Sequence, residues 1–252
     1  MKTVWNQAKD DRGQETREFR ITREGARDIT GALWLPENAD ADTLVCFGHG
    51  ASGDRYQTPI SYLAERFTIE ASLPVLSIDG PVHGLRQVAE GGRNAFFPEY
   101  QREDSIRDMT DDWSVAIEAV REQCAAPRLA YFGLSMGSIY GIPLVASRQD
   151  IVAATLGLVG VSPDFPHGDE ILAAAEKINC PVFFLMQLED ELFSREGYLK
   201  VFDAFASEDK RIHANPGLHP EIPGEEIDFA FEFLLDHIYG RRQRRIVNPL
   251  AE

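Results

Sequence analysis

The sequence predicts an α/β fold in which helices cover both faces of a mostly parallel sheet, in a single domain over residues 1–252. Short apolar runs alternate with longer stretches of helical spacing along the whole chain. The apolar fraction of 44% is enough to form one large core. No internal repeat and no linker rich in proline, glycine and serine divides the 252 residues.

The strands follow from composition and spacing. Residues 18–22 and 28–35 are expected to form an antiparallel start to the sheet. The strands that follow are continuous apolar runs, as a parallel sheet covered on both faces requires. They are expected at residues 43–47, 74–79, 128–133, 154–160, 181–187 and 211–214.

Between the strands lie six stretches with helical spacing. They are expected at residues 59–70, 104–123, 136–148, 169–177, 194–205 and 225–239. The third contains Gly137, Gly141 and Pro143, which suit a helix start packed closely against its strand better than they suit a helix interior. Residues 85–103 show no element and are interpreted as a loop excursion near the active site. Residues 241–252 are a basic C-terminal tail, interpreted as a solvated terminus.

Charge and cysteine content restrict the class of protein. The formal charge of −16 disfavours binding to nucleic acid or to an anionic membrane. Cys46, Cys124 and Cys180 form no CxxC pair, so we expect neither a disulfide framework nor a metal site. The sequence shows no signal peptide and no apolar run of membrane-spanning length, which predicts a cytoplasmic location. The oligomeric state stays open.

The motif GLSMG at residues 133–137 fits the pattern G-x-S-x-G and is the strongest chemical signal in the chain. It directly follows a predicted strand and opens a predicted helix, which is the context that a nucleophilic serine on a sharp strand-to-helix turn requires. The flanking glycines permit the strained backbone of such a turn. We therefore take Ser135 as the candidate nucleophile.

A serine hydroxyl needs a general base, and the base needs an acid to orient it. Asp190 follows the predicted strand at 181–187, and a carboxylate at the carboxyl end of a strand faces the ligand crevice of an open α/β sheet. Asp164, Glu189 and Glu191 are alternatives for the orienting acid, and Asp164 ranks second.

His219 is the candidate base among six histidines. It lies in a loop bounded by glycine and proline, from which an imidazole can project toward the nucleophile. His213 and His237 fall inside a predicted strand and a predicted helix, where a packed or solvated role is favoured. His83 lies in the turn cluster after a predicted strand, and this loop is interpreted as structural, with lining of the pocket as the alternative.

The segment GHGASG at residues 48–53 has two interpretations. It matches the G-x-G-x-x-G fingerprint of a dinucleotide-binding protein. However, two predicted strands precede it, and the strand-end acid Asp79 comes 29 positions after Gly50 instead of about 20. Alternatively, the N–H that follows an HG turn binds a developing oxyanion together with the N–H that follows the nucleophile. The donors are then the backbones of Ala51 and Met136.

As an ordered set these motifs resemble the α/β-hydrolase superfamily, and more narrowly its dienelactone-hydrolase-like and prolyl-oligopeptidase-like esterase branch. The resemblance runs from about Thr43 to Tyr239. It implies an eight-stranded, mostly parallel sheet and a catalytic triad of Ser135, His219 and Asp190. It further implies hydrolysis of a carboxylic ester or a related acyl bond through an acyl-enzyme, without a cofactor.

The chain departs from these relatives in ways that affect the substrate. Dienelactone hydrolases use cysteine where this chain has Ser135, so their lactone substrate does not carry over. The chain has no room for the additional domain of prolyl-oligopeptidase relatives, nor for a large cap domain between Gly160 and Pro181. We expect a small to medium ester as the partner. An acyltransferase, a C–C or amide hydrolase, and a non-catalytic binding protein on this fold stay open as alternatives.

Aromatic residues in the excursion and after a later strand suggest an apolar pocket wall over the serine. They are Phe96, Phe97, Tyr100 and Phe165, and Pro98 lies among them in the excursion. Anchoring of a long loop to the core explains the same residues equally well. Arg86 and Arg93, in the same loop, are interpreted as solvated surface residues.

Overall fold

The computed structural model describes residues 1–37 and 41–241, and it confirms the predicted α/β architecture. Most of the predicted tail at 241–252 lies outside the described residues. Nine strands of the described residues form one sheet. Strands β1 to β9 are Lys2–Lys9, Glu15–Thr22, Ile29–Trp34, Thr43–Gly48, Val75–Ile78, Arg128–Gly133, Ile151–Gly157, Val182–Gln187 and Lys210–Asn215.

The sheet is mostly parallel, as predicted. Its strand order is β1-β2-β3-β5-β4-β6-β7-β8-β9. The pairs β1–β2, β2–β3 and β3–β5 are antiparallel, and the five remaining pairs are parallel. Consequently the carboxyl ends of β4, β5, β6 and β8 lie along one edge of the sheet, where the segments that carry the candidate functional residues begin.

Helices cover both faces of this sheet. Helices α1 to α7 of the described residues are Ile60–Ile69, Gly92–Tyr100, Ser105–Arg121, Met136–Ser147, Gly168–Ala175, Arg195–Ala204 and Gly224–Ile238. The buried residues of α1 and α7 belong to the core on one face, and those of α2 to α6 belong to the core on the other. No helix in the described part of the chain is long and apolar enough to cross a membrane. A cytoplasmic location stays a prediction.

Three features differ from the sequence-based expectation. The sheet gains β1 at its edge, one strand more than the expected eight within the described residues. Residues 85–103 are not a plain loop, because they contain helix α2 and the end of a short 3-10 turn at Gly84–Arg86. Strand β7 ends at Gly157 rather than at residue 160, because Leu158 adopts a left-handed φ of 53°, which is incompatible with an extended strand.

Candidate active site

Ser135 lies on a sharp turn between β6 and α4. Its backbone has φ 56° and ψ −121°, a strained conformation for a residue with a side chain. The turn is fixed by a hydrogen bond from the Ser135 N–H to the Gly157 carbonyl oxygen at 3.0 Å. Ser138 supports it by donating its hydroxyl to the carbonyl oxygens of Gly133 and Gly157. The backbone therefore holds the Ser135 side chain at the carboxyl edge of the sheet, facing the cavity described below.

The glycines predicted to allow close packing do so at this turn. A Cβ atom added to Gly137 would lie 2.2 Å from the Gly48 carbonyl oxygen, closer than real Cβ atoms approach. A Cβ atom on Gly141 would lie 2.3 Å from Cε1 of Tyr131. Helix α4 consequently packs almost directly onto β4 and β6, and residues 136–145 are all buried.

We expect Gly137→Ala to lower the free energy of unfolding by about 1–3 kcal/mol, since the methyl group must displace backbone of β4. The reactivity of Ser135 should fall as well, because the Ser135 turn packs directly against the backbone of β4 at Gly48. Gly224→Ala is the matched control, since its added methyl group has nothing within 4 Å. Denaturant unfolding and turnover of both variants test this. Equal stability of Gly137→Ala and wild type would contradict the packing argument.

Ser135, His219 and Asp190 form one chain of hydrogen bonds. The Ser135 hydroxyl lies 2.9 Å from Nε2 of His219, and Nδ1 of His219 lies 2.7 Å from Oδ2 of Asp190. The His219 side chain is 5% exposed and that of Asp190 is fully buried. Because a carboxylate only accepts hydrogen bonds, Nδ1 carries the proton and Nε2 is free to accept the serine proton.

Asp190 is held as an ionised acceptor. Burial raises the pKa of its carboxyl group, but hydrogen bonds from His219, Tyr198 and the Leu192 N–H more than offset this and lower the pKa below its usual value. The Phe193 N–H donates a further hydrogen bond at 3.0 Å. This environment favours a negative charge beside the imidazole, which stabilises an imidazolium during a reaction.

The other acids of the same segment hold the loop that carries His219. Oε2 of Glu191 accepts a hydrogen bond from the His219 backbone N–H at 2.9 Å, and Glu189 accepts one from the Gly217 N–H. Gln187, at the end of β8, donates its amide to the carbonyl oxygens of Leu218 and Glu221. The sequence suggests the two glutamates only as alternative orienting acids, since nothing in it indicates a contact across 28 residues.

The remaining candidates lie elsewhere. Asp164 is exposed and makes no hydrogen bond to His219. His213 pairs with Glu226 through Nδ1 at 2.8 Å. His237 pairs with Asp209 through Nε2 at 3.2 Å.

The acid at the end of β5 is fully engaged in structure. The Asp79 carboxylate is buried and accepts hydrogen bonds from Thr30, from Arg55 and from the Leu85 N–H. It therefore has no free acceptor for the ribose of a dinucleotide, which is the role that the fingerprint interpretation of GHGASG requires.

The predicted oxyanion donors follow β4 and the nucleophile. Ala51 lines the cavity beside Ser135. Met136 begins α4, and its side chain points into a separate small cavity with Gly80 and Trp113. In the described part of the chain, the backbone N–H groups of Ala51 and Met136 donate no hydrogen bond, so neither is engaged in the fold.

A cavity of about 310 Å³ opens over Ser135 and His219. Within the described ranges, six aromatic side chains line it: Phe96, Phe97, Tyr100, Phe132, Phe165 and Phe193. Helix α2, in the segment expected to be a loop, contributes three of these and also contributes Arg93. Arg93 is exposed as expected, whereas the expectation for Arg86 is wrong: it is buried and pairs with Asp112.

Comparisons with known proteins point to esterases. The zinc-bound structure of a cold-adapted esterase from an Arctic intertidal metagenomic library is 30% identical, with a TM-score of 0.77, over 93% of this chain and 99% of that chain. Acetyl xylan esterase from Paenibacillus sp. R4 has a TM-score of 0.67 at 14% identity, over 93% of this chain and 88% of that chain. Est1E from Butyrivibrio proteoclasticus has a TM-score of 0.64 at 14% identity, over 88% of this chain and 99% of that chain. No family model and no curated protein matches the chain.

Proposed function

Because this chain belongs to the α/β-hydrolase superfamily, in its dienelactone-hydrolase-like branch, we propose that it is a serine hydrolase that cleaves carboxylic esters through an acyl-enzyme. One observation carries the proposal: the unbroken hydrogen-bond chain from Ser135 through His219 to Asp190, at the mouth of an apolar cavity. This arrangement supplies a nucleophile, a base and an orienting acid in the order that acyl transfer requires.

In the first half of the reaction, Oγ of Ser135 attacks the ester carbonyl carbon while Nε2 of His219 takes the hydroxyl proton. The carbonyl π electrons move to oxygen, and the N–H groups of Ala51 and Met136 stabilise the resulting oxyanion. Asp190 stabilises the imidazolium. When the tetrahedral intermediate collapses, the C–O bond to the leaving group breaks and Nε2 gives its proton to the departing alcohol.

In the second half, a water molecule attacks the acyl-enzyme carbonyl carbon and gives its proton to Nε2 of His219. The new oxyanion uses the same two N–H donors. Collapse then breaks the bond to Oγ of Ser135, returns the proton to the serine and releases the carboxylic acid. The cycle uses only groups of the chain and water.

The lining of the cavity favours an apolar acyl or alcohol group. Each buried CH₂ group contributes about 0.8 kcal/mol, so p-nitrophenyl butyrate should have a kcat/KM about tenfold above that of the acetate. Phe97 lines the cavity and is 50% exposed, so Phe97→Ala should lower the ratio of kcat/KM for the butyrate to kcat/KM for the acetate without unfolding the chain. Leu199→Ala is the matched control, since Leu199 is 44% exposed on α6, away from the cavity. An unchanged ratio in Phe97→Ala would contradict the proposal that this part of the cavity binds the acyl group.

Ester turnover by the wild-type chain tests the proposed function. We expect steady hydrolysis of p-nitrophenyl butyrate and, with hydroxylamine present, formation of the butyryl hydroxamate from the acyl-enzyme. A folded wild type that neither hydrolyses esters nor forms a covalent acyl adduct would contradict the proposal. Transfer of the acyl group to an added alcohol in preference to water would reassign the chain as an acyltransferase.

A further inference from the structure

Two buried histidines hold the peptide groups on either side of Ala51. Nδ1 of His49 lies 2.8 Å from the Gly50 carbonyl oxygen, and Nε2 of His83 lies 3.0 Å from the Ala51 carbonyl oxygen. The Gly50 carbonyl and the Ala51 N–H belong to one planar trans peptide, so they point in opposite directions. His49, which anchors the Gly50 carbonyl, therefore also fixes the direction of the Ala51 N–H, and His83 holds the other side of Ala51 through the peptide that joins it to Ser52.

The neighbours of the two rings fix their tautomers. The Gly80 N–H donates to Nε2 of His49 at 2.8 Å, so the proton of this ring is on Nδ1, which donates to Gly50. In His83 the proton is on Nε2, because its partner is the carbonyl oxygen of Ala51. Nδ1 of His83 is buried and has no hydrogen-bond partner among the described residues.

Both rings are neutral donors at physiological pH. Burial lowers the pKa of His49, and burial together with the proximity of His49 lowers the pKa of His83 to about 4. The ring centroids are 5.1 Å apart and close to perpendicular, so two positive charges here would repel each other strongly. His83 also lies 6.3 Å, between ring centroids, from Phe96 in the cavity wall.

We propose that His83 is a positioning residue which, together with His49, holds the Ala51 N–H toward the oxyanion that forms on the substrate. The proposal rests on the proposed esterase function. His83 touches no substrate atom in this role, because it does not line the cavity. It acts through the backbone of Ala51. The turn after β5, which carries His83, packs at Gly80 against the rings of His49 and His83.

The inference predicts a specific kinetic pattern for His83→Leu and His83→Gln. Loss of one oxyanion donor lowers kcat by about 10²–10³-fold. When the donor is present but loosely held, kcat should therefore fall by a smaller factor, about 10–10²-fold. We expect this loss in His83→Leu with KM within about twofold of wild type, since ground-state binding does not use the donor. In His83→Gln the side-chain amide can still donate to Ala51, so most of kcat should return.

A transition-state analogue separates positioning from a merely structural role. A trifluoromethyl ketone forms a tetrahedral oxyanion on Ser135, so its inhibition constant should rise in His83→Leu by the same factor as kcat/KM falls. Rates are normalised to active sites titrated with a fluorophosphonate, which removes any unfolded fraction. His237→Leu is the control, since it loses a hydrogen bond from a ring nitrogen to a backbone carbonyl, that of Phe233, together with the pair to Asp209, and does not line the cavity.

The outcomes are distinct. His83→Leu with wild-type kcat and analogue affinity per active site would overturn the inference while the esterase function stands. A wild type without ester hydrolysis would overturn both. If His83→Leu does not fold, nitrogen NMR of the labelled wild type decides, because the inference requires the neutral Nε2–H tautomer of His83 at pH 7. The opposite tautomer would overturn it.

Discussion

Replacing Ser135 with alanine is expected to lower kcat for p-nitrophenyl butyrate by about 10⁶-fold and to abolish labelling by a fluorophosphonate. The variant removes the only atom that forms the covalent bond to the acyl group in the proposed cycle. It leaves the fold intact, because among the described residues the hydroxyl hydrogen-bonds only with His219, and the turn is held by backbone and by Ser138. Intact mass after labelling and turnover of the same preparation are the measurements.

Ser147→Ala provides the control for Ser135→Ala. Ser147 lies at the other end of α4, and its hydroxyl donates to the Leu144 carbonyl oxygen. This variant should label once and turn over at the wild-type rate. Full labelling of Ser135→Ala at a single site would assign the nucleophile to another residue and refute the proposed mechanism.

Replacing Asp190 with asparagine is expected to lower kcat by about 10⁴-fold. An asparagine side chain has the size of the aspartate, but its amide can donate to Nδ1 of His219, which drives the ring proton to Nε2. The base then presents a donor to Ser135 instead of an acceptor. Turnover is measured from pH 6 to pH 9, and the loss should persist at every pH, since the altered tautomer is set by the amide and does not titrate.

Asp164→Asn is the control for this prediction, since Asp164 also follows a strand and is exposed. It should retain the wild-type kcat. An Asp190→Asn variant within tenfold of wild type would show that the imidazole is oriented by another group, and the hydrogen bond at 2.7 Å would then be structural.

The order of the elements followed from sequence because the buried strands and the amphipathic helices have distinct periods. Strand β1 was not predicted because it is an edge strand whose residues are only exposed or half-buried, so it has no apolar run. Helix α2 was not predicted because it begins with Gly92 and contains Pro98, and both residue types are more typical of loops than of helices. Its stability comes from packing of Phe96 and Tyr100, which only the tertiary structure supplies.

For the candidate site, the turn at Ser135 and the loop at His219 were predictable, because local residue types specify both. The sequence ranked Asp190 above Asp164 as the orienting acid, but both follow a strand, and the contact of Asp190 with the imidazole is supplied only by the three-dimensional structure. The contacts of His83 and Glu191 could not be predicted from sequence either, because they also depend on the three-dimensional structure. Each is a hydrogen bond to a distant backbone group, and the residue type does not indicate such a partner, because nearly every residue has the same backbone groups.

The hydrogen bonds that fasten the His219 loop to β8 and the segment after it divide the site into two bodies, each held by different elements. Glu191 and Gln187 tie the loop to the strand that also carries Asp190, so the base and its acid move together. Ser135 belongs to the other body, the β6–α4 turn. Any relative displacement of the two bodies therefore changes the distance between Oγ of Ser135 and Nε2 of His219, and it leaves the hydrogen bond between Nδ1 of His219 and Oδ2 of Asp190 intact.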